Sequence, residues 1–155
     1  MNAEKVYILE DRGILYINGP DSEKFLQNLI SNDIEKVNES KSCFASLLSP
    51  QGKFLFDFIV VKHKDGYLLD CEKKIIDQLY KKLVIYKLKS KVEILNLSNE
   101  FIVAAFNHEK FLSIEGTKDE LGYTIKYNED HVLLDPRNKK LGVELLLILK
   151  NFTCP

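Results

Sequence analysis

The chain has 155 residues and a mass of 17.9 kDa, room for one ordinary domain or two small parts sharing a core. With 45% hydrophobic and 29% charged residues it has the make-up of a globular protein and not of a disordered one. The 22 basic and 23 acidic side chains nearly cancel, so a broad phosphate-binding surface is excluded, direct nucleic-acid binding is not expected, and any anion site must be local.

Cys43, Cys71 and Cys154 are odd in number, far apart, and in no CxxC or Cys/His cluster, which speaks against a disulfide framework or a metal site and for a reducing compartment, the cytoplasm. The opening "MNAEKVYILED" is unlike a signal or transit peptide, and the apolar run Leu145 to Leu149 is far too short to span a bilayer, so no membrane partner is expected.

In chain order, residues 6–18 alternate about Asp11-Arg12-Gly13 and read as a hairpin. After Gly19-Pro20, Asp21 is placed to cap a helix with Phe25, Leu26, Leu29 and Ile30 on one stripe, ending near Ser31-Asn32-Asp33. Then "CFASLLS", a turn at Pro50-Gln51-Gly52, the strand 54–61, a turn at Lys64-Asp65-Gly66 and "YLLDC" predict a three-stranded antiparallel meander.

The strand 54–61 sets Phe54, Phe56, Phe58 and Val60 on one face and Leu55, Asp57, Ile59 and Val61 on the other. Both faces read as buried and the strand as central. A buried carboxylate costs several kcal/mol unless it is paired or hydrogen-bonded, so Asp57 requires a partner. Two sources are open: Lys89 or Lys91 after the second helix, or a ligand.

Residues 72–88 predict that helix, with Ile75, Ile76, Leu79 and Leu83 inward, Tyr80 and Tyr86 beside them, and lysines opposite. Strands follow around 91–97, 101–106, 111–115, 122–127 and 131–135, then Pro136 and an apolar run at 141–149. The plan is α+β: a mostly antiparallel sheet with two main helices, ferredoxin-like over residues 1–92, with a second strand-rich part at 93–155.

No phosphate-cradling Gly-rich loop, GxSxG or HExxH is present, and His63, His108 and His131 are isolated in sequence, which assigns them surface or structural roles. Arginine occurs only at Arg12 and Arg137. A guanidinium offers a planar fork for carboxylates that Lys lacks, so each arginine either serves a ligand or closes a turn beside Asp11 or Asp135. Lys73, Lys74, Lys81, Lys82, Lys87, Lys89 and Lys91 form either a solvated helix face or a site for a polyanion such as a glutamate tail.

Four stretches in order carry a resemblance. "DRGILYINGPDSEKFLQNLISND" is similar to a strand, Gly-x-Asp and Phe-Leu-Gln helix ending in Thr-Asn-Asp, and "LLSPQGKFLFDFIV" to a Gln-Gly-Arg turn with its following strand. "LYKKLVIYKLKSKVEI" is similar to Tyr-x-Leu-Arg-x-Lys-Val, and "DPRNKKLGVE" to Asp-Pro-Arg with Leu-Gly-x-Arg. From residue 9 to 144 the order and spacing resemble the YgfZ family, folate-binding relatives of the glycine-cleavage aminomethyltransferase.

The resemblance implies a tetrahydrofolate-binding fold and a role in assembling or maintaining iron-sulfur proteins, with links to tRNA modification. It puts forward Asp57, Arg137, Gln51 and Tyr86 as folate-binding residues, with no catalytic residue of the chain's own. Related aminomethyltransferases set an acid on the strand after a Gly-containing turn, where Asp57 stands. A carboxylate there can accept two hydrogen bonds from the flat donor edge of a pterin whose ring is covered by aromatic side chains.

Departures accompany the matches. The family's Lys-Gly-Cys-Tyr-x-Gly-Gln is expected beyond residue 144, where "LLLILKNFTCP" stands instead, and Lys53, Lys89 and Glu144 replace arginines. The expectation is of the N-terminal portion of a longer protein. Two other readings stay open: an aminomethyltransferase-like enzyme, against which Gln51-Gly52 and a single Asp57 replace Gly-Gly and a double Asp, and a remnant acting only as an interaction module.

Overall fold

A computed structural model describes residues 6–127, 130–137 and 143–148. The described strands form two sheets in which every neighbouring pair is antiparallel. The first has the order β3 (Cys43–Leu48), β4 (Phe54–His63), β5 (Gly66–Glu72), β2 (Arg12–Asn18), β6 (Glu93–Asn96). The second runs β1 (Tyr7–Ile8), β7 (Phe101–Phe106), β10 (Val143–Ile148), β9 (Asp130–Leu134), β8 (Thr124–Tyr127). Helices α1 (Ser22–Gln27), α2 (Ile76–Lys87) and α3 (His108–Leu112) complete the described elements, with short 3-10 turns at Ile34–Lys36 and Lys73–Ile75.

Period-two alternation builds the layers. On one face of the first sheet, Leu15, Ile17, Phe58, Val60 and Leu69 pack against Phe25 and Leu26 of α1 and Ile76, Leu79 and Leu83 of α2, which recur at helical spacing. On the opposite face Ile14, Tyr16, Ile59, Val61 and Leu68 meet Phe101, Val103 and Leu133 of the second sheet. The far side of that sheet is closed by Phe111 of α3 over Phe106, Val132 and Leu134. Strands β6-β2-β5-β4 with α1 and α2 on one side make the expected ferredoxin-like unit, and β3 extends its edge. The fold is α+β and mostly antiparallel, as the sequence predicts.

Four local expectations are corrected. Residues 6–18 do not form a hairpin: β1 pairs with β7 while β2 sits between β5 and β6, so the two segments enter different sheets. Asp21 stands at the N-cap of α1, but its Oδ2 accepts from the Lys91 amide at 2.8 Å instead of capping the helix. Residues 111–115 do not form a strand. The Asn107 side chain accepts from the Lys110 amide at 2.7 Å and starts α3 there, a local cap that outweighs the apolar alternation. Lastly, the middle strand is β5, buried along nearly its whole length, whereas β4 is buried only from Phe58 onward and Phe54 is 67% exposed.

Candidate functional site

Asp57 is exposed, which overturns its predicted burial. The face assignment holds, since Ile59 and Val61 do point toward the second sheet, but that sheet does not reach the first half of β4. Among the described residues Asp57 has no hydrogen bond or ion pair, with Lys89, Lys91 or any other group.

The most deeply buried acid among the described residues is Asp70, 1% exposed on β5. Cross-strand register places Ile14 and Ile59 beside it, all under the second sheet. Arg12 reaches in from the end of β2: its Nε donates to Asp70 Oδ1 at 2.9 Å and its Nη2 to the Asp70 main-chain carbonyl at 3.0 Å. Asp70 Oδ2 is buried and has no hydrogen-bond partner among the described residues. Arg12 therefore does what only a guanidinium can do here, binding a side chain and a main chain with one planar fork. Its partner is Asp70 and not the neighbouring Asp11.

Register also collects charge at the rim. Arg12 lies opposite Glu72, and Glu72 and Asp57 line one shallow cleft. The Arg12–Glu72 pair stands just outside the buried row of Ile59, Asp70 and Ile14. The cleft measures 220 Å³, and its walls include Phe54, Phe56, Ile75, Asp57 and Glu72. An exposed acid without a partner among the described residues can accept hydrogen bonds from a flat N–H edge.

The other three proposed residues do not join Asp57 there. Tyr86 lines a separate cleft of 340 Å³ between α1 and the end of α2, with Phe25, Leu29, Lys24 and Lys89. Gln51 is exposed in the β3–β4 turn. Arg137 folds onto Asp135: its main-chain N–H and Nε each donate to Oδ1 at 2.9 Å and its Nη2 donates to Oδ2, which closes the turn after β9.

Neither described cysteine is poised to react. Burial pushes the Cys43 thiol up to about 11 and that of Cys71 up to about 12, the latter helped by the negative Asp70, so both stay protonated at neutral pH. Cys154 lies outside the described residues. The histidines hold a surprise, because His63 and His131, distant in sequence, meet between the sheets with Nδ1 and Nε2 at 2.8 Å. Tyr16 and Phe101 stand edge-on to the His63 ring, with centroids at 5.4 and 5.7 Å. Burial lowers both imidazoles, His63 to about 4, so the pair is neutral and shares one N–H···N bond. His108 pairs with Asp119 at 2.8 Å near the surface.

Sequence reasoning missed both long-range pairs. "YLLDC" carries an acid in an apolar run just as the Asp57 strand does, and that signal was available. Nothing local linked His63 to His131, because their contact depends on how the two sheets stack.

No family model matches the chain. It is 24% identical over 165 residues to the iron-sulfur cluster assembly factor IBA57 homolog, mitochondrial, of Dictyostelium discoideum, covering 90% of this chain and 40% of that protein. To the protein of the same description from Mycosarcoma maydis it is 28% identical over 134 residues, 72% of this chain and 33% of the other. An aminomethyltransferase of Caldanaerobacter subterraneus is 30% identical over 156 residues, 98% of this chain and 40% of that protein.

Among solved structures, the glycine cleavage system aminomethyltransferase T from Bartonella henselae superposes with a TM-score of 0.74 at 13% identity, over 93% of this chain and 42% of the other. A heterotetrameric sarcosine oxidase from Corynebacterium sp. U-96 gives 0.62 at 14% identity, over 94% and 75%. The fold is that of the aminomethyltransferases, and the sequence relatives are iron-sulfur assembly factors and an aminomethyltransferase. These matches support that wider group and not the YgfZ branch in particular. The chain spans 33 to 40% of the length of these curated relatives. Among the described residues, no helix is long and apolar enough to cross a membrane.

Proposed function

We propose that the chain serves iron-sulfur protein assembly or maintenance as an accessory factor that holds a tetrahydrofolate and performs no turnover of its own. The observation that carries this reading is the match to two assembly factors over 90% and 72% of the chain. Within that role the reading follows the YgfZ-type branch, with iron-sulfur proteins as partners and tRNA-modifying enzymes among them. Residues 1–155 act as one folate-binding unit, with a ferredoxin-like part that runs through β6, past the expected limit of 92, and a strand-rich part after it. A reducing compartment, the cytoplasm, suits the free thiols of Cys43 and Cys71, and the two assembly factors are themselves named mitochondrial.

The rim of β4 fits such a ligand. Asp57 accepts the pterin donor edge, and Gln51 lies in the turn that leads into the same strand. Tyr86 and Arg137 contribute only where the ligand, or further protein, bridges from this cleft to theirs. Tetrahydrofolate bound there would supply a one-carbon acceptor, and the chain's own part is to bind and orient it.

A second reading is favoured by the 30% identity to an aminomethyltransferase over 98% of the chain. In it the same acid orients folate for one-carbon transfer. Titration calorimetry with tetrahydrofolate tests the site common to both. Binding that weakens by about 10- to 100-fold in Asp57→Asn supports it, as expected for loss of a charge-assisted acceptor. Equal affinity in the folded variant removes Asp57 from the site.

A further inference from the structure

We propose that the outward face at the C-terminal end of α2 docks on an anionic lipid surface. Opposite the buried stripe of Ile76, Leu79 and Leu83, three aliphatic side chains point to solvent: Val84 is 44% exposed, Ile85 62% and Leu88 85%. Leu88 ends the helix at φ 44°, a left-handed conformation that favours glycine and that strains a leucine. The backbone thus takes a positive φ while presenting an apolar side chain to water.

Charge says what covers the patch. Lys81, Lys82, Lys87, Lys89 and Lys91 lie in the same stretch, five bases between Asp77 and Glu93 with no acid among residues 78–92, in a chain whose net charge is −1. Asp21, which lines the neighbouring cleft, accepts from the Lys91 main-chain N–H at 2.8 Å, and Asp77 stands one turn before Lys81 on the same helix. A cluster of this size beside exposed aliphatics matches the chemistry of a bilayer interface, where lysine stems lie along the acyl boundary and their ammonium groups reach anionic headgroups. Arginine occurs only at Arg12 and Arg137, so lysines alone carry the charge here, and their compact, strongly hydrated ammonium groups suit a diffuse negative surface. A surface contact of this kind needs no spanning segment, so it revises the expectation of no membrane partner without requiring one. It is independent of the folate reading.

Co-sedimentation of the full chain with vesicles tests it, comparing pure phosphatidylcholine with the same lipid containing about one third phosphatidylserine. The expected result is partitioning at least about tenfold stronger onto the anionic vesicles, weakening with added salt. It should fall by about tenfold both in Ile85→Ser/Leu88→Ser and in Lys81→Gln/Lys87→Gln/Lys89→Gln, all of them exposed or half-exposed positions whose replacement leaves the core intact. Circular dichroism confirms that each variant is folded. Equal binding to both vesicle types overturns the proposal. So does anionic binding that survives the serine variant, which marks a site for any polyanion. Self-association of the chain that disappears in the serine variant, with no vesicle binding, assigns the face to a second copy and overturns it too.

Discussion

His63 of β4 and His131 of β9 share one hydrogen bond, Nδ1 to Nε2 at 2.8 Å, and thereby tie the first sheet to the second inside the core. Each imidazole is buried, and each is lowered from its ordinary value chiefly by that burial, His63 to about 4. In the unfolded chain both titrate near the ordinary histidine value of about 6.5. Between that pH and about 4 the unfolded state therefore binds more protons than the folded one. Stability is fully present above pH 6.5 and is lost as pH falls through this window, by about 3 kcal/mol from His63 at most. Urea unfolding at several pH values should show this slope, and His63→Phe/His131→Leu should flatten it. A slope unchanged in the double variant would place the acid sensitivity elsewhere.

Arg12→Ala should be among the most damaging single changes, because it strands the Asp70 carboxylate beneath the second sheet. The expected loss is about 3–5 kcal/mol, with Arg12→Lys between it and the parent because one ammonium cannot serve both the side chain and the carbonyl. Denaturant midpoints measure it. A loss below about 1 kcal/mol would mean that Asp70 is satisfied by something other than Arg12.

Asp57→Asn, in contrast, should change stability by no more than about 0.5 kcal/mol, since Asp57 is exposed and has no partner among the described residues. The same variant is the one expected to lose folate. A large loss of stability on thermal unfolding would give Asp57 a structural role and detach it from the ligand.

Hydrogen exchange should divide β4 in two. Amides from Phe58 to Val61, buried between helices and second sheet, should be among the slowest in the chain, while those from Phe54 to Asp57 should exchange faster. Uniform protection along the strand would show that its first half is covered in solution.

Periodicity carried most of this fold. The β3–β4–β5 meander, the inward faces of α1 and α2 and the opposite faces of Phe58 and Ile59 all follow from spacing, because side-chain direction is a local property. What spacing cannot give is how far a neighbouring layer extends. Asp57 looked buried because its strand is apolar on both faces, yet the second sheet stops short of it. Tyr7 and Ile8 looked like half of a hairpin because alternation does not name a strand's partner, and the partner is β7. The placing of Arg12 beside Asp70 and Glu72 likewise follows only once register is known, which leaves the candidate site half legible: its acid is in the sequence, its surroundings are not.

The central claim is a role in iron-sulfur assembly, and since the chain spans 40% of the Dictyostelium relative, a chimaera is its most direct test. The chain replaces the matching part of an IBA57-type factor in a host lacking that factor, and the activity of iron-sulfur enzymes is measured. In parallel it replaces the matching part of an aminomethyltransferase in a host unable to cleave glycine. The predicted result is restored iron-sulfur enzyme activity with no restored glycine cleavage. Soluble, expressed chimaeras that restore glycine cleavage and leave the iron-sulfur enzymes inactive would contradict it.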